Sequence, residues 1–135
     1  MGLIRSGYTN LIPTSTDNEL TNYLWPIVRG IIKTAIENEQ NLILEGCYIP
    51  YNWQKDFSDK YLKNIRCYYL VMSKNYIINH FNDIKLYSNV IEKRLDDNIE
   101  LENIINDNET FYKRAVENNQ QYFLIDDEYK VDIEL

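Results

Sequence analysis

Three short segments of this sequence place chemically capable side chains at strand ends or in loops. Glu45 and Gly46 follow a short apolar run. Such an acid can hold Mg²⁺ through water or fix a substrate hydroxyl, and the glycine lets a ligand approach the backbone. The pair Lys93 and Arg94 is basic, and a planar guanidinium matches phosphate oxygens. Arg5 precedes a serine and a glycine near the end of a short apolar stretch.

Each segment also has a plain structural interpretation, which stays open at this stage. Glu45 can be a solvated acid in the turn after a strand. Lys93 and Arg94 stand among acids and can form local salt bridges on the surface. Gly7 can be the left-handed residue that ends a helix, which makes Arg5 an ordinary residue of the last turn.

The composition argues against several kinds of site. The chain has 135 residues, 14 Lys and Arg against 21 Asp and Glu, and a net charge of −7. Without a basic cluster it lacks the electrostatic footprint of a nucleic-acid-binding protein. A single histidine, His80, and two distant cysteines, Cys47 and Cys67, do not match the ligand spacing of zinc sites. No glycine-rich phosphate-binding motif occurs.

The same features predict the location and the domain organisation. No apolar stretch approaches the roughly 20 residues that cross a bilayer, so we expect no membrane partner. Met1 is not followed by a secretory leader. We therefore expect a cytoplasmic protein with two buried thiols instead of a disulfide. The length fits one domain over residues 1–135, and no internal repeat is expected to divide it.

Capping residues and apolar periodicity predict the helices. Thr16 and Glu19 form a capping box, and the stripe behind them predicts a helix of about 17–40 with a kink or a break at Pro26. His80 lies on the stripe of a later helix and is expected at the core boundary. The remaining expectations are a loop at 47–58, a short helix at about 58–64, a helix capped by Ser73 and a helix at about 99–119.

Three short runs of β-branched, leucine and aromatic residues predict strands. They are residues 42–46, 65–72 and 122–125. Helices separate every pair of these runs, and such alternation is typical of parallel strands joined by crossovers. The predicted fold class is α/β, with a parallel three-stranded core and flanking helices.

In this order, the segments resemble the small P-loop kinases of the adenylate-kinase-like group. The resemblance is to short bacterial proteins labelled as adenylate or 2-phosphoglycerate kinases, which are distantly similar to zeta-toxin kinases. It covers nearly the whole chain and rests on residues 3–7, 42–50, 65–73, 90–94 and 122–127. It implies the remnant of a three-layer kinase sandwich that lacks its first two strands.

The resemblance also implies roles for the candidate residues. Arg5 falls where the family binds its acceptor, and Glu45 with Gly46 falls at the Walker-B-like position that serves the metal or the acceptor. Lys93 and Arg94 fall near the lid segment and would clamp the phosphates as catalytic residues. Mg²⁺ and ATP are the implied cofactors, and a small-molecule acceptor is the implied substrate.

One departure from the family limits these implications. The phosphate loop precedes the matching part in the family and is missing here, so we expect this chain alone to be inactive. Met1 resembles an internal methionine of a longer protein. The family's sheet order is 2-3-1-4-5, which places a missing strand between residues 42–46 and 65–72. We expect those two strands to close up or to be bridged by another chain, as in a homodimer or a strand-swapped assembly.

Three hypotheses about function remain. The first is the C-terminal portion of an ATP-dependent small-molecule or nucleotide kinase. The second is a non-catalytic interaction or regulatory domain that uses a closed-up version of the same sheet. The third is a different enzyme that shares only the alternation of strands and helices.

Overall fold

A computed structural model describes residues 2–88, 90 and 99–132. The chain divides into two units, Met1–Arg66 and Cys67–Leu135, and each is described by itself below. The described part contains five α-helices and one two-stranded parallel sheet. The mixed α/β class is therefore confirmed, whereas the three-stranded core is wrong for the described residues.

The first unit is built on one long helix, α1, which spans Asp17–Glu37. The Thr16 side chain accepts a hydrogen bond from the Glu19 N–H, and the Glu19 carboxylate accepts one from the Thr16 N–H at 3.0 Å, which confirms the capping box. Pro26 lies inside α1 without dividing it in two. The helix ends three residues before the predicted boundary.

Aromatic side chains hold the rest of the first unit against α1. A 3₁₀ helix at Trp53–Asp56 and helix α2 at Asp59–Leu62 occupy the stretch after residue 50. The Trp25 indole of α1 lies edge-on to Phe57, with ring centroids 6.0 Å apart, and its Nε1 donates to the Asp56 carboxylate at 2.7 Å. The predicted loop at 47–58 therefore contains a helical turn that sequence reasoning missed.

The stretch predicted as the first strand is irregular. Residues 41–46 have no regular secondary structure and are exposed. The exposed fraction is 44% for Leu42, 73% for Ile43 and 38% for Leu44. The strand prediction was wrong here because a strand needs a backbone partner, and no strand of the described chain pairs with this run.

The N-terminal segment follows its structural interpretation. A 3₁₀ helix covers Ile4–Ser6, and Gly7 ends it with φ of 81°. That conformation is left-handed and suits glycine. Gly7 is therefore a helix cap, as its plain structural interpretation predicts.

The second unit contains the sheet. Strand β1 spans Tyr68–Met72 and strand β2 spans Gln121–Ile125. They pair in parallel, with Tyr68 opposite Gln121 and Met72 opposite Ile125. The parallel arrangement of these two predicted strands is confirmed, although β1 begins three residues later than expected.

The helices of the second unit connect and cover the two strands. Ser73 caps α3 at Lys74–Asn79 by accepting from the Tyr76 N–H at 3.0 Å, as predicted. Helix α4 follows at Phe81–Tyr87, and His80 lies at the junction, half-buried and stacked on Tyr76. Helix α5 spans Leu101–Glu117.

Helix α5 packs on one face of the sheet. The rings of Phe111 and Tyr69 lie 5.1 Å apart, and Ala115 is fully buried. The buried Val71 lies on the same face of β1 as Tyr69, because alternate residues of a strand share a face.

Two further expectations concern the thiols and the membrane. Both cysteines are free, but Cys47 is exposed and Cys67 only partly buried, so the prediction of two buried thiols was wrong for Cys47. The reason is that Cys47 follows the irregular exposed run instead of a buried strand. None of the helices seen in the described ranges is long and apolar enough to cross a bilayer.

The capping box predicts a pH dependence of stability. Hydrogen bonds from Thr16 lower the pKa of Glu19 below its ordinary value of 4.5. A carboxyl group whose pKa is lower in the folded state stabilises the fold above its unfolded pKa and loses that contribution as the pH falls. We expect Glu19→Gln to lower the urea midpoint at pH 7 and to have a smaller effect at pH 3.

The matched control for this prediction is Glu45→Gln, which alters an exposed carboxyl group outside any helix. This control should leave the urea midpoint nearly unchanged at both pH values. Equal losses for Glu19→Gln at pH 7 and pH 3 would contradict the assigned origin of the pH dependence.

Candidate functional site

Of the residues predicted for a kinase site, the structure describes Arg5, Glu45 and Gly46. Arg5 is exposed in the N-terminal 3₁₀ helix, and Glu45 is exposed in the irregular stretch. Among the described residues, no hydrogen bond or ion pair links Arg5 to Glu45. Lys93 and Arg94 lie outside the described residues, so their predicted role stays a prediction.

Gly46 lies in open space in this structure, so its predicted role stays a prediction. A side chain added at this position would meet no atom within 4 Å. The structure around Gly46 therefore does not require the absence of a side chain. Its role as a point of close backbone approach would depend entirely on a ligand.

The carboxyl ends of the parallel strands are the expected position for a ligand in an open α/β sheet. A cleft of about 200 Å³ lies there, between β1, α3 and α5. Its polar lining includes Ser73, Lys74, Asn108 and Glu109. Pockets for small molecules are usually about 300–1,000 Å³, so this cleft is small for a nucleotide.

Asn108 spans the cleft and holds the end of β1. Its Oδ1 accepts from the Met72 N–H at 3.0 Å, and its Nδ2 donates to the Met72 carbonyl at 2.6 Å. The side-chain amide thus makes the pair of hydrogen bonds that a neighbouring strand would make. Asn108 is fully engaged in this structural contact.

A larger groove lies in the first unit. It has a volume of about 720 Å³ and is formed by α1 and the residues that follow it. Its lining contains no charged side chain: Ile27, Gly30, Ile31, Thr34, Ala35, Gln40, Asn41 and Leu42. An enzyme site normally adds convergent polar or charged groups to an apolar pocket, and this groove supplies few.

The second unit exposes a group of apolar side chains, which we call the α5–β2 patch. It consists of Tyr112 and Val116 from α5 and Tyr122 and Leu124 from β2. Their exposed fractions range from 39% for Tyr112 to 56% for Leu124. The rings of Tyr112 and Tyr122 lie 5.0 Å apart, edge to face.

The two tyrosines of the patch are also joined through their hydroxyl groups. The oxygens lie 3.2 Å apart. The hydrogen bond with Tyr122, and then the charge of that neighbour, raise the pKa of Tyr112 above its ordinary value of 10.0. Tyr112 therefore stays protonated near neutral pH, and the patch is an uncharged surface with one polar pair.

The spacing of residues in the sequence contains a signal for this patch. Asn108, Tyr112 and Val116 are spaced by four residues and form one ridge of α5. Tyr122 and Leu124 alternate on one face of β2. The signal becomes informative only when α5 is known to lie over that face of the sheet.

Neither clustered metal ligands in the described residues nor similarity to known proteins indicates a further site. No group of three or more His, Cys, Asp or Glu side chains that could hold a metal is present in the part of the chain that the structure describes. Comparison with protein-family models, with curated proteins and with solved structures finds no match for this chain.

The amide bridge generates a stability prediction. Asn108→Ala leaves the Met72 N–H and carbonyl without their partner, which should cost about 1–3 kcal/mol of unfolding free energy. The loss is measured by urea denaturation, and faster hydrogen exchange at the Met72 amide should accompany it. Asn103→Ala, at an exposed position of the same helix, is the matched control and should have little effect. Equal destabilisation by both variants would contradict a specific role for the bridge.

Proposed function

We propose that this chain is a non-catalytic interaction domain that binds a protein partner through the α5–β2 patch. The observation that carries the proposal is the presence of four large, exposed apolar side chains on α5 and β2, of which Tyr112 and Tyr122 are in direct contact. Soluble monomers expose single apolar residues everywhere, but contiguous apolar patches usually mark interaction sites.

The composition of the patch supports this function. Tyrosine supplies a large contact area with few rotatable bonds, and it is enriched in the centre of protein interfaces. Tyr112 and Tyr122 are held together by their ring contact and hydroxyl pair. A partner that covers them therefore orders few additional side-chain torsions.

The rigid support of the patch also favours binding. Ala115, next to Val116, is fully buried, and Ile125, next to Leu124, is 1% exposed. Val116 and Leu124 thus each adjoin a buried residue that fixes the backbone beside them. A surface held in this way loses little conformational freedom when a partner binds.

Kinase chemistry is the second candidate. It is favoured by the parallel pairing of β1 with β2, because the fourth and fifth strands are also neighbours in the sheet of the kinase family that the chain resembles. In that function Arg5 would orient the acceptor, Glu45 and Gly46 would serve metal or acceptor, and Lys93 with Arg94 would clamp the phosphates of ATP with Mg²⁺.

An environment-sensitive apolar dye, bis-ANS, tests the patch. We expect its fluorescence with the intact chain to fall strongly in the Val116→Ser/Leu124→Ser variant, because the dye binds exposed apolar surface. The matched control is Leu86→Ser/Tyr87→Ser, which removes two exposed apolar side chains of α4. Equal loss of signal in both variants would contradict the patch as a distinct site.

Calorimetric titration with MgATP separates the two candidates. We expect no binding at micromolar concentrations, because the described residues form no phosphate-binding cradle. Micromolar binding that is weakened by Lys93→Ala/Arg94→Ala, and not by Lys85→Ala, would overturn the non-catalytic proposal in favour of the kinase.

A further inference from the structure

Helices α1 and α5 end in the same way. After each helix one non-glycine residue adopts a left-handed conformation, Glu39 with φ of 54° and Asn119 with φ of 52°. The residue that follows then donates its N–H to the carbonyl of an alanine, at 2.9 Å in both cases. The two hydrogen bonds join Gln40 to Ala35 and Gln120 to Ala115.

The sequences of the two helix ends repeat as well. Residues 33–44 and 113–124, aligned from Lys33 and Lys113, share a Lys, an Ala, a Glu, an Asn, a Gln and a Leu at equivalent positions. The last three residues of each segment are large and apolar. This similarity covers only twelve residues of each segment.

The two apolar runs nevertheless have different structures. The second is β2, paired along its length with β1. The first, residues 42–44, is irregular and exposed, and we call it the apolar run. The two runs have similar residues and follow similar helix ends. They differ in strand pairing, because β2 pairs with β1 and the apolar run pairs with no strand of the described chain.

The outer edge of β2 is open in the part of the chain that the structure describes. The Ser73 N–H donates to the Ile125 carbonyl at 2.8 Å, so the backbone groups of Ile125 face β1. Because these groups alternate along a strand, those of Leu124 and Tyr122 face away from β1. No strand within the described ranges pairs with this edge. The outer edge of β1, in contrast, is occupied at Met72 by Asn108.

Charge indicates which surface can approach this edge. Residues 67–135 contain seven Lys and Arg against fourteen Asp and Glu, a net charge of −7. Residues 1–66 contain seven of each and are neutral. Pairing two β2 edges would bring together two units of charge −7, whereas the apolar run brings a neutral unit to an acidic one.

We propose that the apolar run of one copy of this chain pairs as a strand with the outer edge of β2 in a second copy. The occupant of the open edge is thus residues 42–44 of another molecule. Leu42 and Leu44 share one face of such a strand, and when that face is the one that carries Tyr122 and Leu124 they cover these two side chains. The inference rests on the proposed function, because it names the partner of the α5–β2 patch.

Proline substitution and analytical ultracentrifugation test the pairing. The chain is studied in reducing buffer, because the exposed Cys47 would otherwise cross-link copies. We expect a concentration-dependent self-association that Ile43→Pro weakens at least about tenfold, since proline interrupts strand pairing. Ile43→Val keeps a β-branched residue and should associate like the parent chain. The monomer should tolerate Ile43→Pro, because position 43 lies in no helix or strand.

A second pair of variants identifies the receiving edge. Leu124→Pro removes an outward-facing N–H from β2 and should abolish association, whereas Leu70→Pro removes an outward-facing N–H from β1 and should not. Far-UV circular dichroism checks that each variant is folded. Should either proline variant unfold, Leu124→Lys and Leu70→Lys provide the same comparison, because lysine protects an edge without breaking it.

The synthetic peptide of residues 40–46 gives an independent measurement. We expect it to bind the Ile43→Pro chain and to lose at least about tenfold in affinity when Leu124→Lys is added, because an edge lysine opposes strand addition.

A monomeric parent chain that does not bind this peptide overturns the inference. Loss of association with Leu70→Pro but not with Leu124→Pro also overturns it. Either result leaves the proposed function standing if bis-ANS still distinguishes the patch, whereas failure of the bis-ANS comparison removes the proposed function itself.

Discussion

The hydrogen bonding between β1 and β2 is the constraint on which the second unit depends. A strand needs a partner for its buried backbone groups, and β1 has β2 along one edge and Asn108 at Met72 on the other. Because Asn108 belongs to α5, this contact also fixes that helix over the sheet. The position of the α5–β2 patch follows from this arrangement.

Local signals were sufficient to predict the starts of α1 and α3 and the presence of α5, but not the break between α3 and α4. The Thr16 and Glu19 capping box, the Ser73 cap and the apolar stripe of α5 each involve residues within a few positions of one another. Such patterns act before the chain has folded, so they can be seen in the sequence. The prediction for β2 also held, to within one residue at its start.

The errors share one physical cause, which is dependence on a distant partner. Residues 42–46 have the composition of a buried strand, but no strand of the described chain pairs with them. Asn108 looks like one of several amides on the polar face of α5, and only the position of Met72 gives it a role. The candidates Arg5 and Glu45, by contrast, were chosen by residue type alone, and their predicted roles stay predictions; both lie on exposed segments. Residue type predicts chemistry only where the fold brings the groups together.

The unequal distribution of charge has a consequence for the size of any assembly. A contact between two different surfaces of one chain leaves a free apolar run at one end of an open assembly and a free receiving edge at the other. Such contacts either close into a symmetric ring or continue as a filament. Every added copy brings another seven negative charges, so repulsion along a filament grows with its length and is weakened by salt. In the proposed assembly, ionic strength would therefore control polymer length, with small closed species favoured in dilute salt.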